Sequence, residues 1–171
     1  FEKLVRDAKY LKRKNEIKKF NIKNKIKKKG IAITPVKFGI SFTTIHLNQA
    51  GALVHLYTDG SVYLNHGGIE MGQGTHTKIA QVVANSLGVP YEKIKISSTN
   101  TTKVPNTSAS AASSTTDLNA AAALNATSKI KKNLERFIKD KYKIFSKEKP
   151  IYKNESIIFG NRSFEFKKIV M

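Results

Sequence analysis

Residues 67–74 read Gly-Gly-Ile-Glu-Met-Gly-Gln-Gly, four glycines in eight positions, and a helix-like stretch follows at once. Glycine takes positive φ and lets another group come close to the backbone. Backbone N–H groups gathered ahead of a helix start make a site for an anion. A second stretch, residues 104–119, reads Val-Pro-Asn-Thr-Ser-Ala-Ser-Ala-Ala-Ser-Ser-Thr-Thr-Asp-Leu-Asn and again sets small and hydroxyl residues ahead of a helix. Two such loops in one short chain point to a large, polar, phosphate-bearing ligand held mainly by backbone. The plain alternative for the first loop is a glycine-rich strand-to-helix turn with no ligand.

Other chemistries fit less well. A Walker A loop needs Gly-Lys-Ser/Thr, and no such run occurs. A dinucleotide fingerprint counted from Gly72 and Gly74 needs glycine at 77, which is Thr77. The histidines are His46, His55, His66 and His76, and no pair has the i, i+4 spacing of a helical zinc motif. His46 and His55 fall in expected strands, where a satisfied structural role is the simpler reading. Ser108, Ser110, Ser113, Ser114, Thr115 and Thr116 suit hydroxyl donors to an anion, a linker, or helix N-caps. No Gly-x-Ser-x-Gly elbow supports a serine nucleophile. Glu70 and Asp117 are the acids close to the two loops. Asp117 suits the following helix N-terminus. Neither acid has an evident sequence partner, so no general base is assigned.

The elements that must hold these loops follow from apolar spacing. Leu4, Ala8, Leu11 and Phe20 give residues 1–20 a helical pattern, with Lys27-Lys28-Lys29-Gly30 as a basic last turn and glycine stop. From Ile31 to Leu47 the pattern is that of a strand, interrupted at Pro35 and resumed by Phe38, Ile40 and Phe42. Residues 52–64 are a hairpin around Asp59-Gly60, and the second arm runs into the glycine loop. Thr75 to Leu87 is a helix with Ile79, Val82, Val83 and Leu87 on one face, stopped by Gly88 and Pro90. Ile94 and Ile96 mark a short strand. Residues 115 to about 143 form a long helix with Leu118, Ala122, Leu134, Phe137 and Ile138 as apolar positions. Asn161 sets a turn between 157–159 and 164–166. The class is α+β, a mixed sheet with a hairpin and packed helices.

The chain has 171 residues and 40% hydrophobic content, the scale of one domain. It has no cysteine, which excludes disulfides, thiolate-held zinc and thiol catalysis. No apolar run approaches the roughly 20 residues that span a bilayer. The net charge of +19 sits on the flanks. Residues 1–30 carry 13 basic and 3 acidic side chains, and residues 129–171 carry 13 and 5; the stretch between carries 5 and 4. A basic nucleic-acid-binding surface is one reading of these flanks. A solvated Lys-rich surface is the other, favoured because Lys outnumbers Arg and few aromatics interleave.

Three segments in this order resemble the molybdenum-binding part of the xanthine dehydrogenases, in the wider xanthine oxidase and aldehyde oxidase family. They are residues 34–54, beginning Thr-Pro-Val-Lys-Phe-Gly-Ile-Ser-Phe-Thr; residues 57–76, through the glycine loop; and residues 103–119. The likeness runs from about residue 3 to 135, and its wording is nearest the bacterial form, in which the molybdenum part is a separate polypeptide. The resemblance implies a molybdopterin cofactor, whose molybdenum is held by a pterin dithiolene rather than by cysteines. It implies hydroxylation of a purine carbon, hypoxanthine or xanthine toward urate, with oxygen from water. Electrons would pass to NAD through Fe–S clusters and FAD on a partner subunit or domain. An aldehyde oxidase-like hydroxylase is the alternative within the family.

By this resemblance Phe42 packs on the flat substrate and Thr43 lies at its pocket. Gly72, Gln73 and Gly74 meet the cofactor, Gln73 near the molybdenum. Ala112 brings its backbone toward the metal, and Ser113 and Thr115 lie near the cofactor phosphate. Thr115 replaces a usual serine, and Ala120 stands where the family often has glycine. Nothing here matches the family's catalytic glutamate or its earlier glycine-rich segment with the substrate-binding arginine. The expectation is therefore a cytoplasmic fragment holding about half of a pocket, inactive alone and completed in a hetero-oligomer. Its parts would be a basic lead-in at 1–30, part of the molybdopterin-binding domain at 31–143, and a partial following segment at 144–171.

Overall fold

The computed structural model describes every residue except Phe38, Ser41, Val104, Pro105, Ser146 and Lys147. The chain divides into two compact units, residues 1–39 and 40–171.

In the first unit, helix α1 (Glu2–Asp7) and helix α2 (Tyr10–Lys23) are separated by Lys9, which takes a left-handed φ of 48°. Neither helix buries a residue. The expected glycine stop at Gly30 is not where the helix ends. Asn24 ends it: its backbone N–H and its side-chain Nδ2 both donate to the Phe20 carbonyl, at 3.0 and 2.9 Å. The chain then folds back, with Asn21 Nδ2 donating to the Lys29 carbonyl at 2.9 Å and Lys29 N–H donating to Asn21 Oδ1 at 2.8 Å. Asparagine side chains offer the backbone an alternative to the next helical turn, and here that alternative wins.

The strand expected over 31–47 is not formed among the described residues. Residues 45–47 instead make a short 3-10 turn, and Val36 and Ile40 are exposed. Alternation supplies a face but not a ladder, and among the described residues no strand pairs with this stretch. Phe38, part of that expected alternation, lies outside the described residues.

The second unit holds the core. Strands β1 (Ala52–Leu56) and β2 (Val62–His66) form the expected antiparallel hairpin, registered from Ala52 against His66 to Leu56 against Val62. Its turn is closed by Gly60 N–H donating to the Tyr57 carbonyl at 2.8 Å and Ser61 N–H donating to Asp59 Oδ1 at 2.8 Å. Helix α3 (Thr75–Leu87) crosses over from β2 to β3 (Ile94–Ile96), which lies parallel to β2. A parallel pair needs such a crossover, and its strands release the chain at the same end of the sheet. The glycine loop leaves β2 and the hydroxyl-rich loop leaves β3, so topology alone brings the two together.

Helix α4 (Thr115–Tyr142) packs along α3. The buried α4 residues are Thr115, Asn119, Ala123, Thr127 and Ile138, while Phe137 is exposed and Leu118 and Ala122 are half-buried. Ile138 is buried as expected and Leu134 packs against the core, whereas the first half of the helix buries small residues four apart in place of Leu118 and Ala122. Small side chains let two helices approach, and Thr127 among them is satisfied: its Oγ1 donates to the Leu124 carbonyl at 2.8 Å and lies 3.1 Å from Ser86 Oγ. The core gathers Val62 and Leu64 from β2, Ile79, Val83 and Leu87 from α3, and Ile94 from β3.

A second, antiparallel sheet of β4 (Ile151–Lys153), β5 (Ser156–Phe159) and β6 (Arg162–Glu165) precedes helix α5 (Phe166–Val170). The β4–β5 turn uses Asn154 and Glu155, both left-handed, as a two-residue hairpin turn of primed type demands. Gly88 ends α3 with φ 67°, and a Cβ there would lie 2.4 Å from the Tyr152 backbone, so β4 docks directly on the helix end. The architecture is α+β with a mixed sheet, and no described helix is long and apolar enough to cross a membrane.

Candidate cofactor-binding site

The glycine loop is not a bare row of donors. Glu70 turns its carboxylate into the loop: Oε1 accepts from the N–H groups of Gly72 and Gly74 and Oε2 from that of His76, each at 2.9 Å. These bonds hold the Glu70 carboxyl down at about 2. The start of α3 is therefore capped by the protein's own anion, a partner that sequence spacing alone did not reveal. Gln73 bridges the loop from within, its Nε2 donating to the Ile69 carbonyl at 2.7 Å and its Oε1 accepting from Met71 N–H at 2.6 Å. Gly72 and Gly74, at φ 98° and 79°, supply the turns that bring these donors round one carboxylate.

The second loop meets the first directly. Ser110 Oγ accepts from Ile69 N–H at 2.9 Å, Asn119 Oδ1 accepts from Gly67 N–H at 3.1 Å, and the hydroxyls of Thr75 and Thr116 are 3.3 Å apart. Gly68 is the tight point of this junction. A Cβ there would lie 2.8 Å from Thr115 Cγ2 and 3.2 Å from both Asn119 Nδ2 and Thr75 Cγ2. Ala112 and Ser113 both sit in the left-handed region, at φ 52° and 55°. Each such residue costs about 1–2 kcal/mol, strain of a kind that gathers at functional sites.

A hollow of about 390 Å³ lies between the loops, lined by Gln73, Thr75 and Lys78 on one side and Ser110, Ser113, Thr115 and Thr116 on the other. Unlike α3, helix α4 enters it with no side chain among the described residues capping its first turn: Ser114, at the N-cap, donates instead to the Ala111 carbonyl at 3.1 Å. The Ser113 and Thr115 hydroxyls make no hydrogen bond among the described residues. The Lys78 ammonium lies 3.0 Å from the Gln73 carbonyl, at the same hollow. An open helix N-terminus, free hydroxyls and a lysine form a donor set suited to a phosphate.

Phe42 lines a neighbouring hollow of about 270 Å³ with Leu47, Asn48, Ser108, Ala111 and Ser114. Ala111 borders both hollows. The Phe42 carbonyl accepts from Asn48 Nδ2 at 2.8 Å, and Ser108 ties this segment to the second loop through Gln49 and Leu47. Of the residues singled out in the sequence, Gln73, Ser113 and Thr115 line the first hollow and Phe42 the second. Gly72, Gly74 and Ala112 shape the loops without lining either, and Thr43 is exposed beside Phe42.

Sequence reading missed a histidine pair under the glycine loop. His66, the last residue of β2, is buried, and its Nδ1 accepts from Gly68 N–H at 3.1 Å. Its Nε2 lies 3.0 Å from Nδ1 of His76 in the first turn of α3, with the two rings edge to face. Burial, then the neighbouring His76, push His66 down to about 4. A spacing of ten residues carries no helical or strand signal, so only the fold brings these rings together.

The profile of the molybdopterin cofactor-binding domain matches residues 3–171. The chain belongs to this family. Rat xanthine dehydrogenase/oxidase is 54% identical over 141 residues, covering 82% of this chain and 11% of the rat protein. The mouse protein of that name is 53% identical over 139 residues, 81% of this chain and 10% of its own length. The domain thus spans about a tenth of the length of these curated relatives. Among solved structures, reconstituted CO dehydrogenase from Oligotropha carboxidovorans superposes with a TM-score of 0.64 at 23% identity, over 71% of this chain and 15% of that one. Quinoline 2-oxidoreductase from Pseudomonas putida 86 gives 0.65 at 20%, over 71% and 16%. These structures share the fold. The donor set of the first hollow fits the anionic, hydrogen-bonding cofactor for which the family is named.

Proposed function

We propose that this domain is the central cofactor-binding part of a xanthine dehydrogenase-like molybdenum hydroxylase acting on hypoxanthine and xanthine. The observation that carries the reading is the single hollow in which Gln73, Ser113, Thr115 and Lys78 face one another beneath an open helix N-terminus. When bound, molybdopterin supplies the two-electron redox centre for hydroxylating the substrate carbon with oxygen from water. The domain's residues position that group. The α4 N-terminus, with Ser113, Thr115 and Lys78, receives the phosphate end. Gln73 keeps one amide hydrogen and one oxygen lone pair beyond its loop bonds, enough to meet a polar pterin edge. Ala112 is small and fixed in a left-handed turn, which lets its backbone approach the metal centre. Gly72 and Gly74 hold the opposing loop in place.

Phe42 stands at the adjoining hollow, where its ring can lie against a planar heterocycle, with Thr43 beside it. Electrons would leave through Fe–S and FAD centres on a partner subunit or domain toward NAD, in a cytoplasmic hetero-oligomer. The family's general base and substrate arginine would come from segments other than this one.

The test uses the complete enzyme that contains the segment. Gln73→Ala and Ala112→Leu should each lower the molybdenum and pterin content of purified protein. Phe42→Ala should keep molybdenum and lose about tenfold or more in kcat/KM for xanthine, the worth of one buried aromatic contact. Full metal loading in both loop variants, or full xanthine turnover without the Phe42 ring, overturns the assignment.

A further inference from the structure

We propose that His66 and His76 act as positioning residues that set the gap between the two loops through one fixed tautomer of His66. This inference rests on the molybdopterin reading for its functional meaning and on hydrogen-bond geometry for its content. A backbone N–H can only donate. Gly68 N–H points at His66 Nδ1 at 3.1 Å, so that nitrogen carries no proton. A buried, neutral His66 must then hold its proton on Nε2. That nitrogen faces His76 Nδ1 at 3.0 Å, which therefore accepts. One imidazole thus ties the chain just after β2 to the first turn of α3, across the two ends of the glycine loop.

The tie matters because of where it acts. Gly68, the residue His66 holds, is the one whose missing Cβ lets Thr115, Asn119 and Thr75 close in. The Gly68 carbonyl also accepts from Thr99 Oγ1 at 2.9 Å, so both of its backbone polar groups are fixed. A shift at Gly68 is passed to Thr115 and to the hydroxyl bridge between Thr75 and Thr116, which is the wall of the hollow. The opposite tautomer would set two N–H donors against each other at Gly68, and an imidazolium at His76 would do the same toward His66. The pair is strongest as a chain of single donors.

Long-range 1H–15N correlation of the histidine side chains decides the tautomer on the unmodified chain. The expected pattern is neutral His66 protonated at Nε2 and His76 with an unprotonated Nδ1. An Nδ1-protonated or charged His66 at neutral pH overturns the proposal. Variants test the consequence. His76→Asn keeps an acceptor where Nδ1 stood and should retain slow amide exchange at Gly68 and Ile69. His76→Leu removes the acceptor and should speed that exchange about tenfold, the value of one hydrogen bond. In the complete enzyme, His76→Leu should lower pterin retention and His76→Asn should restore it. Equal exchange and equal retention in the two variants would sink the positioning role. If tautomer and exchange behave as expected while pterin never depends on Gln73 or Ala112, the functional reading fails and the lock stands.

Discussion

A carboxylate that accepts from three backbone donors is worth more than a surface charge, because each bond favours its ionised form. Glu70 is in that position, and its acid constant near 2, against an ordinary 4.5, ties the start of α3 to pH. The folded form holds the proton less tightly than the unfolded chain, so the stabilisation is complete above about pH 4.5 and is lost as pH falls toward 2. Glu70→Gln replaces one acceptor oxygen by an NH2 that faces backbone N–H groups. Its melting temperature should lie below that of the wild type at neutral pH, and the gap should close on acidification through that window. A gap that stayed constant from pH 6 to 2 would show that the carboxylate does not cap the loop. The same residue marks a limit of sequence reading. The glycines announced a turn that gathers N–H groups, and they do gather. That an acid inside the turn would take those donors depends on loop curvature, which residue type does not encode. The anion donors left free belong to α4, at the far end of the hydroxyl-rich loop.

At the scale of elements, the hairpin, α3 with its Gly88 stop, β3 and α4 all lie where apolar periodicity and turn residues put them. Each of those signals is local. The strand expected over 31–47 failed because a strand needs a neighbour, and alternating side chains say nothing about who that neighbour is. The face of the first half of α4 was misjudged for a related reason. Asn119 and Thr127 are buried with their polar side-chain atoms bonded, and Thr115 and Ala123 because they are small. Close approach of elements explains the glycines as well. Gly88 and Gly160 both have positive φ, 67° and 53°, but only Gly88 has β4 backbone within 2.5 Å of an added Cβ; Gly160 has open space. Gly160→Ala should cost about 1 kcal/mol, the conformational penalty alone. Gly88→Ala should cost upwards of about 3 kcal/mol, since backbone must also move. Chemical denaturation of the two variants measures both, and equal losses would mean that β4 does not rest on the helix end.

The basic lead-in carries much of the charge and, among the described residues, none of the core. Among the described residues every buried apolar side chain belongs to residues 54–169, whereas residues 1–30 carry 13 of the basic groups and the helices there bury nothing. The ion pairs on α1 and α2 are exposed, Lys3 with Asp7 at 2.5 Å and Lys12 with Glu16 at 4.0 Å, and such pairs contribute about 0–1 kcal/mol each. Helix α2 is therefore held by local bonds against the repulsion of its own lysines, and it should gain helicity as salt screens them. The unit at 40–171 owes its stability to burial, which salt at these concentrations barely alters. Deleting residues 1–39 should leave a cooperative melt whose midpoint moves by no more than about 4 °C, under 1 kcal/mol for a unit of this size. Far-UV circular dichroism at 25 and 300 mM salt should then show a salt-dependent helical signal in the full chain that the shortened one lacks. Loss of the cooperative transition in the shortened chain would mean that the core needs the basic lead-in. The charge would then have to be read as part of the fold rather than as its solvated margin.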